Sequence, residues 1–540
     1  MSDLATTVPG RPPASALLEK KMKKSHALIS GIVVFGALIA GIGFIGFNIS
    51  SDFQGVTVGS FWPYLLLVVA LLIALGFEFV NGFHDTANAV ATVIYTHSLD
   101  PNIAVVWSGM CNLAGVLTSS GTVAFTVITL LPVELILQVS SGAGFSMVFA
   151  LLFAAILWNL GTWWFGLPAS SSHTMIGSII GVGLANQLMN GHDGTSGIDV
   201  DQVTKVFKVL LISPVVGFGV AALLFLLAKA TIKYPALYEA PKGDTPPPWP
   251  IRLLLVLTCT GVSYGHGSND GQKGMGLIML ILIGTVPTAY ALNHAVTGSD
   301  VQDFVASSEQ AGHILDRHVD KAGILGADPR TEVTDYIRTK KIQPDTILAL
   351  RELVEDLNHE VALYKEFKSV PPNQQANVRN DMYVASEAIR LMQKNKTPAF
   401  TADENAALAN YKSKVDKATK FIPTWVKVAV ALALGMGTMV GWKRIVVTVG
   451  EKIGKEHLTY AQGATAELVA MATIIGADNF GLPVSTTHVL SSGVAGTMFA
   501  NRSGLQWSTL RSIAMAWVLT LPAAALLSGT LFWSFSKISH

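Results

Sequence analysis

The sequence contains one eight-residue stretch twice, first as Gly166-Leu-Pro-Ala-Ser-Ser-Ser-His173 and again as Gly481-Leu-Pro-Val-Ser-Thr-Thr-His488. Both copies lie inside long apolar segments, where glycine and proline interrupt a helix. A membrane protein tolerates unwound backbone at membrane depth only where protein or a water-filled cavity covers it. Each copy therefore predicts a hairpin of two helix segments that is buried inside a membrane protein.

Each copy is preceded in the chain by one member of a second pair of related stretches. Asn81-Gly-Phe-His-Asp85 lies in one apolar segment, and Gly265-His-Gly-Ser-Asn-Asp270 lies in another. Their last four residues align without gaps, and we predict a helix break at each. Each half of the chain then has the same order, a broken helix that carries an aspartate followed by a Gly-Leu-Pro hairpin. Such internal repeats are typical of secondary transporters.

The composition predicts an all-α polytopic membrane protein with one polar insert. Half of the 540 residues are hydrophobic and 14% are charged, against about 25% in soluble domains. About half of the charged residues lie within 300–420, where apolar residues recur at helical spacing. This pattern excludes a soluble enzyme and a fibrous protein, and the net charge of +1 gives no reason to expect nucleic acid. The order Gly271-Gln-Lys273-Gly274 is not a P-loop, so nothing indicates ATP hydrolysis.

Hydropathy and charge divide the chain into segments. The apolar run after the N-terminal lysines is too long for a signal peptide, so we interpret it as an anchor with its lysines on the cytoplasmic side. The predicted segments are a cytoplasmic tail (1–26), an extra transmembrane anchor (27–48), transmembrane repeat 1 (61–230), a cytoplasmic linker (231–250), the first part of repeat 2 (251–295), a polar helical insert (296–420) and the second part of repeat 2 (421–535).

Loop charges orient the two repeats. Lysines flank the 231–250 linker and occupy the 442–458 loop, which places both loops inside. The 188–204 loop contains no lysine or arginine, so we place it outside. If each apolar segment that contains one of the aspartates crosses the membrane once, repeat 1 begins outside and repeat 2 begins inside. This is an inverted-topology repeat, and it puts the 296–420 insert outside.

Asp85 and Asp270 are the strongest functional candidates. A carboxylate at the centre of a span costs roughly 2.5–3.5 kcal/mol on insertion scales, and here two occupy matched positions. They are predicted to bind the coupling cation, or alternatively to pair with His84 or Lys273 and hold the fold together. Amide oxygens suit a cation, and the nearby amides are Asn88, Asn269 and Gln272.

The hydroxyl clusters of the two hairpins predict an anion site. Proline and then hydroxyl residues open a helix, and the first N–H groups of a helix attract negative charge. The alternative is ordinary N-capping of short helices. The cluster residues are Ser170, Ser171, Ser172, Ser485, Thr486 and Thr487, and each cluster ends in a histidine, His173 or His488, that is either a structural donor or a ligand.

These motifs, with Asn81-Gly-Phe-His-Asp-Thr-Ala-Asn-Ala89, resemble the PiT family of inorganic phosphate transporters, most closely its bacterial low-affinity Pit branch. The resemblance covers about 61–535. It implies symport of phosphate, or of a neutral metal–phosphate complex, with a cation across the bacterial inner membrane. The hairpin hydroxyls would contact phosphate, and Asp85, Asn88, Asn269 and Asp270 would hold the coupling ion. It implies a multi-pass transporter in a lipid bilayer, with no catalytic residue, no resident cofactor or fixed metal, and leaves a homodimer open.

The two stretches that contain the aspartates, 81–89 and 265–273, are the first and second signatures of this family. One position departs from the sodium-coupled members, which carry Asn-Asp in both signatures. The first signature here reads His84-Asp85. A protonated imidazole cannot ligate sodium, and histidine titrates near neutral pH. The sequence therefore predicts proton coupling. Sodium coupling, sulfate as substrate, an anion channel, and a sensor that signals through 296–420 remain the alternatives.

Overall fold

The computed structural model describes residues 27–52, 62–85, 87–137, 142–189, 200–241, 243, 245–320, 325–326, 328–364 and 366–539. Within these ranges the chain is helical and forms no β-strand. The helices are α1 Ala27–Asp52, α2 Trp62–Asp85, α3 Ala87–Tyr95, α4 Pro101–Thr118, α5 Thr122–Ile128, α6 Val133–Leu137, α7 Gly142–Trp164, α8 Ser171–Met189, α9 Val200–Thr231, α10 Trp249–Thr285, α11 Pro287–Tyr290, α12 Gly298–Asp316, α13 Pro329–Thr339, α14 Thr346–Tyr364, α15 Gln375–Asn395, α16 Ala402–Thr419, α17 Thr424–Met439, α18 Lys443–Glu451, α19 Tyr460–Asn479, α20 Thr486–Ala500 and α21 Trp507–Ser539.

Several helices are long and apolar enough to cross a bilayer. The spans in the described part of the chain are Tyr64–Tyr95, Gly144–Trp164, Val203–Thr231 and Trp507–Ile538. The helices α4 and α5 form a further apolar pair that bends by 75°. The first polar motif, Asn81–Asp85, lies on the first of these spans, and the buried helices α8, α10 and α20 carry the others. The protein is thus a multi-pass, all-α membrane protein.

Both Gly-Leu-Pro stretches interrupt a helix, as predicted. The helices α7 and α8 form hairpin 1, and α19 and α20 form hairpin 2. At each turn a glycine takes the left-handed conformation that other residues rarely adopt, with φ +65° at Gly166 and +63° at Gly481. The tips are buried, because the residues from Ala169 onward and from Val484 onward have little exposed surface.

The helix break predicted at the second signature is wrong. Helix α10 continues without interruption through Gly265–Asp270. Its glycines let other helices approach, and a Cβ at Gly267 would lie 2.1 Å from the carbonyl oxygen of Asn112. Small residues commonly allow such close contact between membrane helices. At the first signature, α2 ends at Asp85 and α3 begins at Ala87, and the break predicted there falls on Thr86, which lies outside the described residues.

The two repeats exchange packing partners. The last helix of repeat 1, α9, packs on α20 of hairpin 2, and the last helix of repeat 2, α21, packs on α8 of hairpin 1. In the same way α10 packs on α4, while α2 packs on α17. Each of these contacts therefore has a counterpart in the other repeat, which is the result expected from a twofold internal repeat.

The insert is a group of helices, α12–α16, whose apolar core is continuous with buried apolar residues of the repeat helices. Its two ends meet, since the backbone N–H of Asn293 donates to the carbonyl oxygen of Ala418 at 2.8 Å. Lys394 contacts Asp201 at the start of α9. The side of the membrane on which the insert lies stays a prediction. The anchor helix α1 packs on α17.

Candidate functional site

The first hydroxyl of each cluster caps its helix. Ser170 Oγ accepts a hydrogen bond from the backbone N–H of His173 at 3.2 Å, and Ser485 Oγ accepts one from that of His488 at 3.1 Å. This is the N-cap geometry that serine favours. A capping oxygen can still donate its own hydrogen, so the predicted contact of these two serines with phosphate stays a prediction.

The tips of the two hairpins meet inside the protein. Ser172 Oγ donates to the carbonyl oxygen of Val484 at 2.8 Å. The rings of His173 and His488 lie with their centroids 4.4 Å apart and their planes tilted by 39°, and the ring of His488 also lies 4.1 Å from the ring of Trp517. Two helix N-termini thus face the same buried region, and each brings a positive dipole end to it.

Asp85 receives hydroxyl groups from both hairpins. Ser171 Oγ of hairpin 1 donates to Oδ2 at 2.5 Å, and Thr487 Oγ1 of hairpin 2 donates to Oδ1 at 2.6 Å. His84 Nδ1 lies 3.2 Å from Oδ1. The other ring nitrogen of His84 lies 3.0 Å from Thr162 Oγ1, which fixes the ring against hairpin 1. The buried carboxylate is therefore surrounded by hydrogen-bond partners.

Asp270 has a related but more basic environment. Its carboxylate forms an ion pair with Lys273 and lies 3.3 Å from His266 Nε2. Thr486 Oγ1 lies 3.5 Å from Oδ2. The Lys273 ammonium also donates to Ser172 Oγ at 2.5 Å, so it joins Asp270 to the tip of hairpin 1. Fully buried lysine is rare unless it is paired.

The hydroxyl contacts follow the repeat. Ser171 contacts Asp85, and its counterpart Thr486 contacts Asp270. The second pair differs, because Thr487 reaches Asp85 directly while the Lys273 ammonium lies between Ser172 and Asp270. The two aspartates therefore form a single cluster with four of the predicted phosphate residues, Ser171, Ser172, Thr486 and Thr487, and in this cluster hydroxyls and carboxylates are already bonded to each other.

Three side chains of this cluster have the spacing of a cation site. One ligand atom from each of Asp85, His266 and Asp270 can be chosen so that all three lie within 4.8 Å of one another. Two carboxylates and an imidazole are suitable ligands for a divalent transition metal, and the carboxylates also suit Mg²⁺. With both histidines neutral, the two carboxylates and Lys273 sum to one negative charge, so the cluster favours a cation or a proton over an anion alone.

His266 lies in the site although it is not among the site residues predicted from the sequence. It lies one turn before Asp270 on α10, which is the spacing that brings two helical side chains together. Asn112 of α4 orients the ring through a 2.8 Å contact between its Oδ1 and His266 Nδ1. His266 could have been predicted as a site residue from its position in the second signature. Asn112 could not, because only the packing of α4 on α10 brings it to the site.

Two predicted amide ligands bond elsewhere. Asn269 donates to the carbonyl oxygen of Leu482 at 3.1 Å and accepts from the N–H of Val484 at 3.3 Å, so it holds the tip of hairpin 2. Gln272 donates to Asp478 Oδ1 at 2.7 Å and accepts from the N–H of Val123 at 2.9 Å. These bonds connect α10 to hairpin 2 and to α5. The side chain of Asn88 lies outside the described residues.

The chain matches a known family over most of its length. Residues 81–528 match the family model PHO4, which is described as the phosphate transporter family. The chain is 44% identical over 486 residues to the low-affinity inorganic phosphate transporter PitA of Escherichia coli strain K12, with 87% of this chain and 96% of that protein covered.

More distant relatives have similar names. The low-affinity inorganic phosphate transporter PitB of the same organism is 41% identical over 491 residues, again with 87% of this chain and 96% of that protein covered. A probable low-affinity inorganic phosphate transporter of Bacillus subtilis is 27% identical over 478 residues, with 88% and 99% covered. A solved structure described as the sodium-dependent phosphate transporter superposes with a TM-score of 0.49 at 18% identity, covering 88% of this chain and 100% of that one.

Proposed function

The chain belongs to the phosphate transporter family, and we propose that it is a secondary symporter that imports inorganic phosphate with protons across the bacterial inner membrane by alternating access. Phosphate transport follows from the family. The observation that carries proton coupling is the pair of hydroxyl groups, Ser171 of hairpin 1 and Thr487 of hairpin 2, on the single carboxylate of Asp85.

Phosphate and Asp85 compete for the same donors. Phosphate needs hydrogen-bond donors when it leaves water, because burying a charged group without partners costs several kcal/mol or more. When Ser171 and Thr487 turn toward phosphate, Asp85 loses two hydrogen bonds and faces a new negative charge. Protonation of the His84–Asp85 pair removes both penalties. Binding of phosphate and binding of a proton therefore favour each other, as symport requires.

Release reverses the sequence. Once the site opens to the cytoplasm, the proton leaves the His84–Asp85 pair. The ionised carboxylate then regains the hydroxyls of Ser171 and Thr487, and phosphate loses the same donors. The hairpin tips meet between the two repeats, so rocking of one repeat against the other would change the side from which this cluster is reached.

A direct experiment follows phosphate and protons together. Purified protein is reconstituted in weakly buffered, sodium-free liposomes, and phosphate is added outside. We expect the external medium to become more alkaline as labelled phosphate enters, and a protonophore to abolish any phosphate accumulation above equilibrium. Phosphate entry with no proton uptake would contradict proton coupling. Uptake that never exceeds equilibrium would favour an anion channel.

A metal–phosphate complex is a second candidate substrate. The cation spacing of Asp85, His266 and Asp270 favours it. A divalent cation would offset the charge of phosphate beside two carboxylates and so lower the cost of burial. In this form the metal is carried with phosphate as substrate. Dependence of metal uptake on phosphate, and of phosphate uptake on metal, tests the proposal.

A further inference from the structure

Glu78 is a buried carboxyl group that the transport site described above does not use. It lies on α2, seven residues before Asp85, so the two carboxyl groups project from the same face of the helix two turns apart. Its side chain has no exposed surface. An ionisable residue at such a position within a membrane protein marks a functional site by default.

The Glu78 carboxyl has few hydrogen bonds. Asn81 Nδ2 donates to Oε2 over a long 3.4 Å contact. Among the described residues, no hydrogen bond of good geometry reaches Oε1, and the backbone N–H of Gly274 is the other polar group that interacts with the carboxyl. An ionised carboxylate in such a place would be costly, because a buried charge needs pairing and several hydrogen bonds. The geometry therefore fits a carboxyl group that exchanges a proton, and not one that is held permanently ionised by strong partners.

Glu78 also packs directly against the helix that carries the second aspartate. A Cβ at Gly274 would lie 2.1 Å from Glu78 Oε1, so the carboxyl occupies the space that the glycine leaves. Gly274 follows Lys273, and Glu78 interacts electrostatically with Lys273 and Asp270. Glu78 thus lies beside the ion pair at the centre of the transport site.

Few other charged groups lie on the helices around Glu78. The helices that pack on α2 are α3, α7, α8, α10 and α17. On α17 the one charged residue is Lys427, and its ammonium donates to the carbonyl oxygen of Ser119 at 2.7 Å. The titratable groups on these helices and on α2 itself are Tyr64, His84, Asp85, Tyr95, His173, His266, Asp270, Lys273 and Lys427, with Cys259, Tyr264 and Arg252 further along α10.

We propose that Glu78 carries a second proton of the transport cycle, loaded together with phosphate and released on the cytoplasmic side. The proposal rests on the proton-coupled symport proposed above. The only bond that forms and breaks is the O–H bond of the carboxyl group. Water supplies the proton when the site is open outward and accepts it when the site is open inward.

Charge balance supports a second proton. In the empty site, ionised Glu78, Asp85 and Asp270 together with Lys273 sum to two negative charges. When Glu78 and Asp85 are both protonated, the charges of Asp270 and Lys273 cancel. Bound divalent phosphate then brings the sum back to two negative charges. The loaded and empty forms then carry equal charge through the low-dielectric interior, so neither is penalised when the repeats move.

Glu78→Gln separates this role from a structural one. Glutamine keeps the size and the hydrogen-bonding atoms of the protonated acid but cannot release a proton. Exchange of internal for external phosphate needs only the loaded form, so the variant should retain it. Net uptake requires the return of the empty, deprotonated form and should be lost. Glu78→Asp keeps a titratable group and should recover part of the net uptake.

The experiment measures phosphate exchange and proton-driven net uptake in proteoliposomes, both as a function of pH. Glu78→Gln with normal exchange, lost net uptake and a flattened pH profile supports the proposal. Net uptake equal to wild type, or loss of exchange at equal protein level, overturns it. If wild type itself fails to accumulate phosphate on a proton gradient, the proposed function fails instead, so the two failures are distinguishable.

A pair of glycine variants on α10 provides a matched test of the contact. Gly274→Ala places a methyl group onto the Glu78 carboxyl and should reduce net uptake more than exchange. Gly265→Ala adds the same methyl group to the same helix, where the nearest atoms are flexible side-chain atoms of Ile474 and Ile475 at 3.3 Å, and should behave like wild type. Equal behaviour of the two variants would contradict a role for the Glu78–Gly274 contact.

Discussion

Thr487 of the second repeat donates a hydrogen bond of 2.6 Å to Asp85 of the first, although 402 positions separate them in the chain. The bond joins the tip of hairpin 2 to the end of α2. Movement of one repeat relative to the other must break or remake this hydrogen bond. The groups that bind Asp85 and the arrangement of the hairpins are therefore linked.

Removal of the hydroxyl donors should weaken phosphate binding. In the Ser171→Ala, Thr486→Ala double variant, two donors are lost, and each hydrogen bond to a charged group is worth roughly 1.5–3 kcal/mol. The KM for phosphate should therefore rise by orders of magnitude while membrane expression survives. Uptake kinetics measure the effect. Ser178→Ala, which removes a hydroxyl bonded to the Thr174 carbonyl oxygen on α8, is the matched control, and an unchanged KM in the double variant would exclude the clusters from the site.

Asp85→Asn should uncouple transport from the proton gradient. Asparagine keeps an oxygen that can accept from Ser171 or Thr487, but it cannot take up a proton. The variant should bind and exchange phosphate yet fail to concentrate it. Proton-driven uptake and exchange are compared in the same proteoliposomes. Continued accumulation by the variant would show that Asp85 is not the coupling group.

His84→Asn should change the coupling ion. It creates the Asn-Asp pattern of the second signature, Asn269-Asp270, and supplies an amide oxygen that can ligate sodium. Dependence of uptake on the proton gradient should weaken, and sodium should begin to stimulate uptake. The measurement is initial uptake over a series of sodium concentrations at fixed pH. An unaltered proton dependence with no response to sodium would argue that His84 only orients Thr162 and Asp85.

Metal chelation should distinguish the two forms of the substrate. If a neutral metal–phosphate complex is carried, thorough chelation should stop phosphate uptake, and addition of a divalent cation should restore it. Labelled metal should then enter only with phosphate. His266→Ala should make phosphate uptake less dependent on the divalent cation, because the change removes one of three converging ligands. Phosphate uptake indifferent to chelation would favour free phosphate.

Excision of the insert tests the sensor alternative. The N–H of Asn293 bonds to the carbonyl oxygen of Ala418, so a short glycine–serine linker can replace α12–α16 without moving the chain ends. Since the central cluster lies wholly in the repeat helices, phosphate exchange should survive. The assay compares exchange at matched protein levels in the membrane. Loss of exchange would indicate that the insert contributes to transport.

The sequence predicted the hairpins correctly because their signal is local. Gly166 and Gly481 need a left-handed backbone, and the following proline ends a helix, so the repeat could be seen in the residues themselves. The break at Gly265–Asp270 was predicted by the same reasoning and was wrong. There, glycine serves close packing of α10 on α4, which depends on residues distant in the chain.

The contacts within the site were less predictable than its members. Asp85, Asp270 and the hydroxyl clusters were identified from their type and repetition. Their mutual bonding was not, because Thr487 and Asp85 meet only through packing of the two repeats. The predicted membrane orientation and the assignment of each residue to phosphate or ion stay predictions.

Accumulation of labelled phosphate in wild-type proteoliposomes, under separately imposed proton and sodium gradients, tests the central claim most directly. If His84 and Asp85 couple transport to protons, an inward proton gradient without sodium will drive internal phosphate above the external concentration, and an inward sodium gradient at equal pH will not. Accumulation on the sodium gradient alone would contradict proton coupling through His84 and Asp85.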